Sequence, residues 1–168
     1  MCRSLITCFT LFLLIIPAWS SYSQPSVKEK TFSGGWFNIR YPANFTVRIS
    51  QRSASAGDNG AESVFFRSPG NEVEFYVFAP QWSGEAHDIA LDPVAETMGD
   101  KSTSKKGDET ITLWTIQAKD GSYSRSYREI RTENTRTILG IRYRDKQAYS
   151  KYKKQYVRFR GSLKQFAD

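Results

Sequence analysis

Three consecutive runs in the last third of this chain, residues 110–119, 122–131 and 136–144, alternate apolar with polar side chains and are split by two short turn signals. Alternation at period two marks a half-buried strand. Asp120-Gly121 is a dipeptide of the kind that closes tight hairpins, and Glu133-Asn134 stands at the tip of the second turn, 132–135. The segment therefore predicts an antiparallel meander. The period then changes. Tyr149, Tyr152, Tyr156, Phe159, Leu163 and Phe166 recur at spacings of three and four, one apolar stripe of an amphipathic helix. Asp145 is its expected N-cap, Lys151, Lys154 and Arg158 project from the outer face, and Gly161 weakens it near its end. A meander followed by a closing helix sets the fold class as α+β: an antiparallel sheet of about six to seven strands with helices packed on it.

The upstream chain supplies the other strands. Phe37, Ile39 and Tyr41 alternate with polar residues in a first strand over 36–41, ended by Pro42, which cannot donate to a ladder. Residues 45–49 repeat the pattern. Residues 50–61 carry no large apolar residue and read as a loop. Strands at 63–67 and 73–78 flank Ser68-Pro69-Gly70-Asn71, a hairpin turn. The chain then leaves the sheet through Pro80 and Trp82. Asp92-Pro93 has the form of an N-cap with proline at the first helical position, so a short helix is expected over 93–98, ended by Gly99. The polar, Lys-rich residues 100–108 are expected as a second loop.

The two turns allow a register to be written for the meander. Ala118 then faces Tyr123, Ile116 faces Arg125 and Trp114 faces Tyr127; across the second hairpin Arg125 faces Arg142, Tyr123 faces Arg144 and Tyr127 faces Gly140. Alternation sorts the faces. Ile111, Leu113, Ile130, Leu139, Ile141 and Tyr143 read as core. Trp114, Tyr123, Arg125, Tyr127, Arg142 and Arg144 share the other face and form the candidate ligand-binding set. Arg125 opposite Arg142 sets like charges across a strand pair. An anion bridging the pair would relieve the repulsion. So would stacking of the guanidinium planes on Trp114 and Tyr127. The bland alternative is a solvated or loop-covered face.

Both cysteines, Cys2 and Cys8, lie in an N-terminal segment with Arg3 ahead of an apolar run over 5–16. Pro17 ends the run, and Ala18-Trp19-Ser20 places small residues for a cut before Ser21; a second cut is available before Gln24. Residues 1–20 are therefore expected to be a signal peptide, 21–31 a flexible leader and 32–168 a single domain, exported to a periplasmic or secreted location. About a dozen apolar residues fall short of the roughly 20 that a spanning helix needs. The processed chain would lack cysteine, which excludes disulfides, thiol nucleophiles and cysteine metal sites.

Of the net charge of +7, residues 121–168 hold 13 Lys/Arg against 4 Asp/Glu, a balance of +9, while residues 27–120 hold 10 against 13, a balance of −3. A concentrated basic region favours an acidic protein, an anionic envelope polymer or a lipid surface as partner; export disfavours nucleic acid. No motif for a catalytic group, a metal or a cofactor stands out. His87 is the only histidine, there is no Gly-x-Ser-x-Gly, and no phosphate-cradling glycine loop precedes a helix. A carboxylate pair for glycoside hydrolysis would meet only in space.

Phe37-Asn38-Ile39-Arg40-Tyr41-Pro42, with Phe45 following, resembles the aromatic-x-Ile-x-Tyr-Pro-x-x-aromatic opening of PsbP-like domains. That superfamily includes an extrinsic photosystem subunit and a Ran-binding import factor. The order of elements over residues 32–166 is similar as well. The resemblance implies an antiparallel sheet between helices and a non-enzymatic accessory or binding role; no docking or metal-ligand motif of the photosystem branch is matched. The expectation is a non-catalytic exported domain holding an anionic or acidic partner on the basic aromatic sheet face. A cell-envelope hydrolase, or a structural subunit docking through the aromatic helix, are the alternatives.

Overall fold

Val73–Phe78, sequence VEFYVF, is buried at every position. A strand without a polar face needs cover on both sides, and this one organises the molecule around it. The computed structural model describes residues 27–53, 60–82 and 84–166. The signal peptide expected over 1–20, and most of the leader, lie outside the described residues.

Among the described residues the strands, in chain order, are β1 (Glu29–Ser33), β2 (Phe37–Pro42), β3 (Thr46–Arg52), β4 (Ala61–Arg67), β5 (Val73–Phe78), β6 (Glu96–Lys106), β7 (Glu109–Ala118), β8 (Ser124–Arg131), β9 (Arg136–Tyr143) and β10 (Lys164–Gln165), with one α-helix, α1 (Lys146–Gly161). Seven strands form an antiparallel sheet in the order β3-β4-β5-β9-β8-β7-β6. A smaller sheet, β1-β2-β10, lies with α1 over one face of it. The main core fills this gap. Phe37, Ile39 and Phe45 meet Val64, Phe66, Phe75 and Ile141 from the large sheet, and Tyr152, Tyr156 and Phe159 from α1. The aromatic stripe of the helix is thus consumed by packing. Asp145 caps α1, accepting the Ala148 N–H at 2.8 Å.

On the opposite face Phe65, Tyr76, Phe78, Ile116, Tyr127 and Ile138 form a second buried cluster, closed by Ile89. Ile89 belongs to the connection that leaves β5 and returns at β6. It carries a 3₁₀ turn at His87–Ile89. The order of layers is therefore connection, seven-stranded sheet, then helix with small sheet. This is the expected α+β architecture.

The meander register is the one its turns imply: Ile116 pairs with Arg125, Trp114 with Tyr127, Arg125 with Arg142, and Tyr127 with Gly140. Gly121, at φ 74°, occupies the left-handed region that the first turn requires. Gly140 has a different reason. A Cβ there would stand 2.4 Å from the Tyr127 ring, so the missing side chain lets that ring lie against β9.

Several expectations are corrected. Residues 93–98 do not form a helix. Asp92 does cap a turn, accepting from Val94 N–H at 2.9 Å and Ala95 N–H at 3.3 Å, but β6 begins at Glu96. The Lys-rich stretch expected as a loop is the rest of β6, which pairs along β7. It is the edge of the sheet, exposed from Thr97 onward, so it carries no apolar alternation, and its lysines blunt an open ladder. β1 takes up Glu29–Ser33, so the leader ends sooner than residue 31; the strand is polar because it lies at the rim of the small sheet. The strand expected to stop at 49 continues to Arg52. α1 ends at Gly161, short of Phe166, because Lys164 and Gln165 pair with β2. Finally, Ile111, Leu113 and Ile130 are not core. α1 crosses β2, β5 and β9 and leaves that face of β7 and β8 uncovered, with Leu113 47% exposed.

Candidate functional site

The six side chains singled out in the sequence separate into three environments. Arg125 is 7% exposed and Glu96 5%. Arg125 donates through Nε to Glu96 Oε1 at 2.8 Å and through Nη2 to Glu96 Oε2 at 2.5 Å. Its remaining donors reach the Ile89 carbonyl at 2.9 Å, the Ala90 carbonyl at 2.9 Å and the Tyr127 hydroxyl at 3.0 Å. Glu96 also accepts from the Tyr123 hydroxyl at 2.7 Å and the Asp92 N–H at 2.9 Å. Every donor and acceptor of the pair is thus used within the protein. The guanidinium fork ties the connection, through the carbonyls of residues 89 and 90, to the middle of the sheet.

Burial alone would raise the Glu96 carboxyl. The hydrogen bonds from Arg125, the Asp92 N–H and Tyr123 outweigh it and hold the pKa at about 2, against an ordinary 4.5. Burial pushes Tyr127 up to about 12, with Arg125 acting against it. Tyr123 is raised, chiefly because its hydroxyl donates to Glu96. A carboxyl whose folded value is depressed stabilises the fold above its unfolded value, and that contribution is lost as pH falls through the folded value. The window here runs from about pH 4.5 down to about pH 2. At about 1.4 kcal/mol per pKa unit, Glu96 contributes on the order of 3 kcal/mol at neutral pH. Urea unfolding at pH 7, 4 and 2.5 is expected to show this loss, and the Glu96→Gln variant is expected to lack that share of the acid limb. An acid limb identical in the variant would refute the assignment.

Trp114 and Tyr127 form the second environment. Their rings stack with centroids 5.2 Å apart and planes at 26°. Tyr127 is buried and Trp114 half-buried, so they seal the second core.

The third environment is open. Arg142 is exposed, and its guanidinium lies over the Tyr123 ring at 3.9 Å. Arg144 is exposed between Asp145 Oδ2, at 3.0 Å, and Glu72 Oε1, at 4.0 Å. Arg48, which the sequence reading did not select, lies over Phe65 at 4.2 Å. Phe65 and Tyr123 are the signal that could have found such pairs, but Arg48 sits on β3, three strands away from the nearest strand of the meander that carried the register.

Arg48, Phe65, Tyr123 and Arg142 surround a cavity of about 280 Å³ on the connection side of the sheet, lined also by Glu74, Tyr76, Asp88 and Asp92; Arg144 lies outside it. Its acids are all committed to protein donors. Glu74 accepts from Arg67 at 2.8 Å. Asp88 accepts the hydroxyls of Ser63 at 2.6 Å and Tyr76 at 2.8 Å. Asp92 caps the turn before β6, and Glu96 holds Arg125. The cationic groups of the cavity without a carboxylate in ion-pair reach, among the described residues, are Arg48 and Arg142. Each lies over an aromatic ring, Arg48 over Phe65 and Arg142 over Tyr123. A general acid needs a raised carboxyl; Glu96, the acid at the centre, is moved the other way. His87 is exposed in its turn. Among the described residues no group of three or more His, Cys, Asp or Glu side chains is placed to hold a metal ion.

No protein-family model and no curated protein matches this chain. Among solved structures it is similar to the solution structure of cyanobacterial PsbP (CyanoP) from Synechocystis sp. PCC 6803, with a TM-score of 0.51. The likeness covers 89% of this chain and 99% of that one at 9% sequence identity, and is therefore one of fold.

Proposed function

We propose that this chain, built on the PsbP-like α+β fold, is an exported, non-catalytic binding or accessory domain. It holds an acidic protein segment on the connection side of its seven-stranded sheet. The observation that carries this reading is the pair of exposed arginines, Arg48 and Arg142, each stacked on an aromatic ring and neither matched by a carboxylate among the described residues. A stacked guanidinium keeps its in-plane donors free for bidentate contact with carboxylates. β3 and β9 are three strand spacings apart, so the two arginines sit on the order of 14 Å from each other across the sheet. That span suits several residues of an extended acidic segment, and Arg144 lies beyond Arg142 as a further contact. Export rests on the N-terminal segment with Arg3 and its apolar run.

Arg125 is not a contact in this reading. It fixes the connection that walls the cavity, and positions Tyr123 through their common acceptor, Glu96. Charge reversal at Arg125 would therefore damage the fold, and the informative variant is Arg48→Glu with Arg142→Glu.

The purified protein is expected to bind poly-glutamate with an affinity that falls steeply as salt rises. The double variant is expected to lose at least about tenfold in affinity while melting within a few degrees of the parent. Unchanged affinity in the double variant overturns the reading. Saturable binding to vesicles containing phosphatidylglycerol, with none to poly-glutamate, would move the partner from an acidic protein to a lipid surface.

A further inference from the structure

The uncovered half of the helix-side face is the strongest remaining feature. α1 stops over β9, and between it and β7–β8 lies a groove of about 590 Å³. Leu113 and Ile141 form its floor, Tyr143 stands at one end, and Tyr149 and Tyr156 of α1 make the wall. Leu113 is a core-type side chain left 47% exposed. The size falls within the range of small-molecule sites, which are mostly apolar with a few convergent polar groups.

Two of its polar groups are cationic and unmatched. Arg128, from β8, and Arg160, from the last turn of α1, are both half-buried, and neither guanidinium makes an ion pair or a hydrogen bond among the described residues. Arg160 follows Tyr156 by one turn on the same side of α1, and Arg128 pairs with Leu113 across β7 and β8, so both guanidinium groups belong to the lining of this groove. With Lys101 and Asp100 the lining has three cations against one acid. A half-buried guanidinium without a partner is costly unless an anion reaches it. This surface lies on the opposite side of the sheet from Arg48 and Arg142 and does not depend on the function proposed for them.

We infer that this groove binds a small amphipathic anion, an aliphatic chain or ring carrying a single carboxylate, with the apolar body against Leu113, Ile141 and Tyr149 and the carboxylate between Arg128 and Arg160. Chain and headgroup are both required. A neutral molecule leaves the arginines unmatched, and a bare anion leaves the floor in water.

Calorimetric titration with decanoate, decanol and acetate tests this on the whole protein. Decanoate is expected to bind at one site, at least about tenfold tighter than decanol or acetate. Arg128→Gln with Arg160→Gln is expected to remove that preference, with decanol binding unchanged. Leu113→Asp is expected to abolish decanoate binding, while the Arg48→Glu and Arg142→Glu variant keeps it. Each substituted side chain is exposed or half-buried, and a thermal melt beside each titration confirms folding. Equal affinity for decanoate and decanol, or decanoate binding unaffected by the loss of both arginines, overturns the inference.

Discussion

Replacing Arg125 by Met is expected to destabilise the protein by about 3–5 kcal/mol, the range for removing one partner of a buried ion pair. The cost has two sources. Glu96 remains in a dry site with its charge unmatched, and the carbonyls of Ile89 and Ala90 lose their donors. Total stabilities of about 5–15 kcal/mol leave little margin for such a loss. The defect should also be local before it is global. The connection over the second core is held to the sheet through this guanidinium, so amide exchange over residues 87–95 is expected to accelerate more than exchange in β5. Adding Glu96→Leu to Arg125→Met removes the orphaned charge, so the double variant is expected to recover part of the loss. A double-mutant cycle then measures the coupling. A single-variant cost below about 1 kcal/mol would show that the pair does not hold the connection.

Phe159→Ala is expected to cost about 3–5 kcal/mol, as truncations of fully buried aromatic residues do. Phe159 is the point at which α1 grips the sheet. Its ring centroid lies 5.3 Å from that of Phe66 and 5.2 Å from that of Phe75, one ring from each of two adjacent central strands. Losing the ring removes apolar burial and both ring contacts, and leaves a void that rigid strands fill poorly. Val157, two residues earlier on the outer face, is the control. It is exposed, and Val157→Ala is expected to stay within about 0.5 kcal/mol. Urea unfolding of the two variants checks this; a shift in midpoint at constant slope is the expected form for Phe159→Ala. Equal effects at the two positions would mean that α1 is not docked through this stripe. Because α1 is one wall of the groove that carries Arg128, the same variant is expected to weaken decanoate binding.

Much of the architecture was legible because local chemistry and global pairing agree in it. Asp120-Gly121 and the turn at 132–135 are short and conformationally specific, and a strand has a period of two, so a turn fixes every facing pair after it. That is why Arg125 could be set against Arg142, and Trp114 against Tyr127, from residue order alone. The helix stripe was legible for a similar reason, since Asp145 and the three–four spacing point the same way. β6 was not. Its residues are polar on both faces because it is an edge, and an edge strand exists only through its neighbour β7. The turn that Asp92 caps is real, but nothing local to it says that the chain runs on as a strand from Glu96, whose partner Arg125 is distant in sequence.

The candidate site divides along the same line. Residue order by itself determined which side chains share the meander's second face, because alternation and turn length are local properties. It also set two arginines opposite each other, a conflict that some further group had to resolve. Only the tertiary structure decided which group. Glu96, 29 positions before Arg125, is delivered by a connection that folds back across the sheet, and it turns one arginine into a buried strut while leaving Arg142 open on Tyr123. The same holds for Leu113, whose alternation assigned it to the helix side but could not say how far α1 would reach. Which positions share a face follows from the backbone's period. What lies over that face depends on segments distant in the chain, and no local period encodes their arrival.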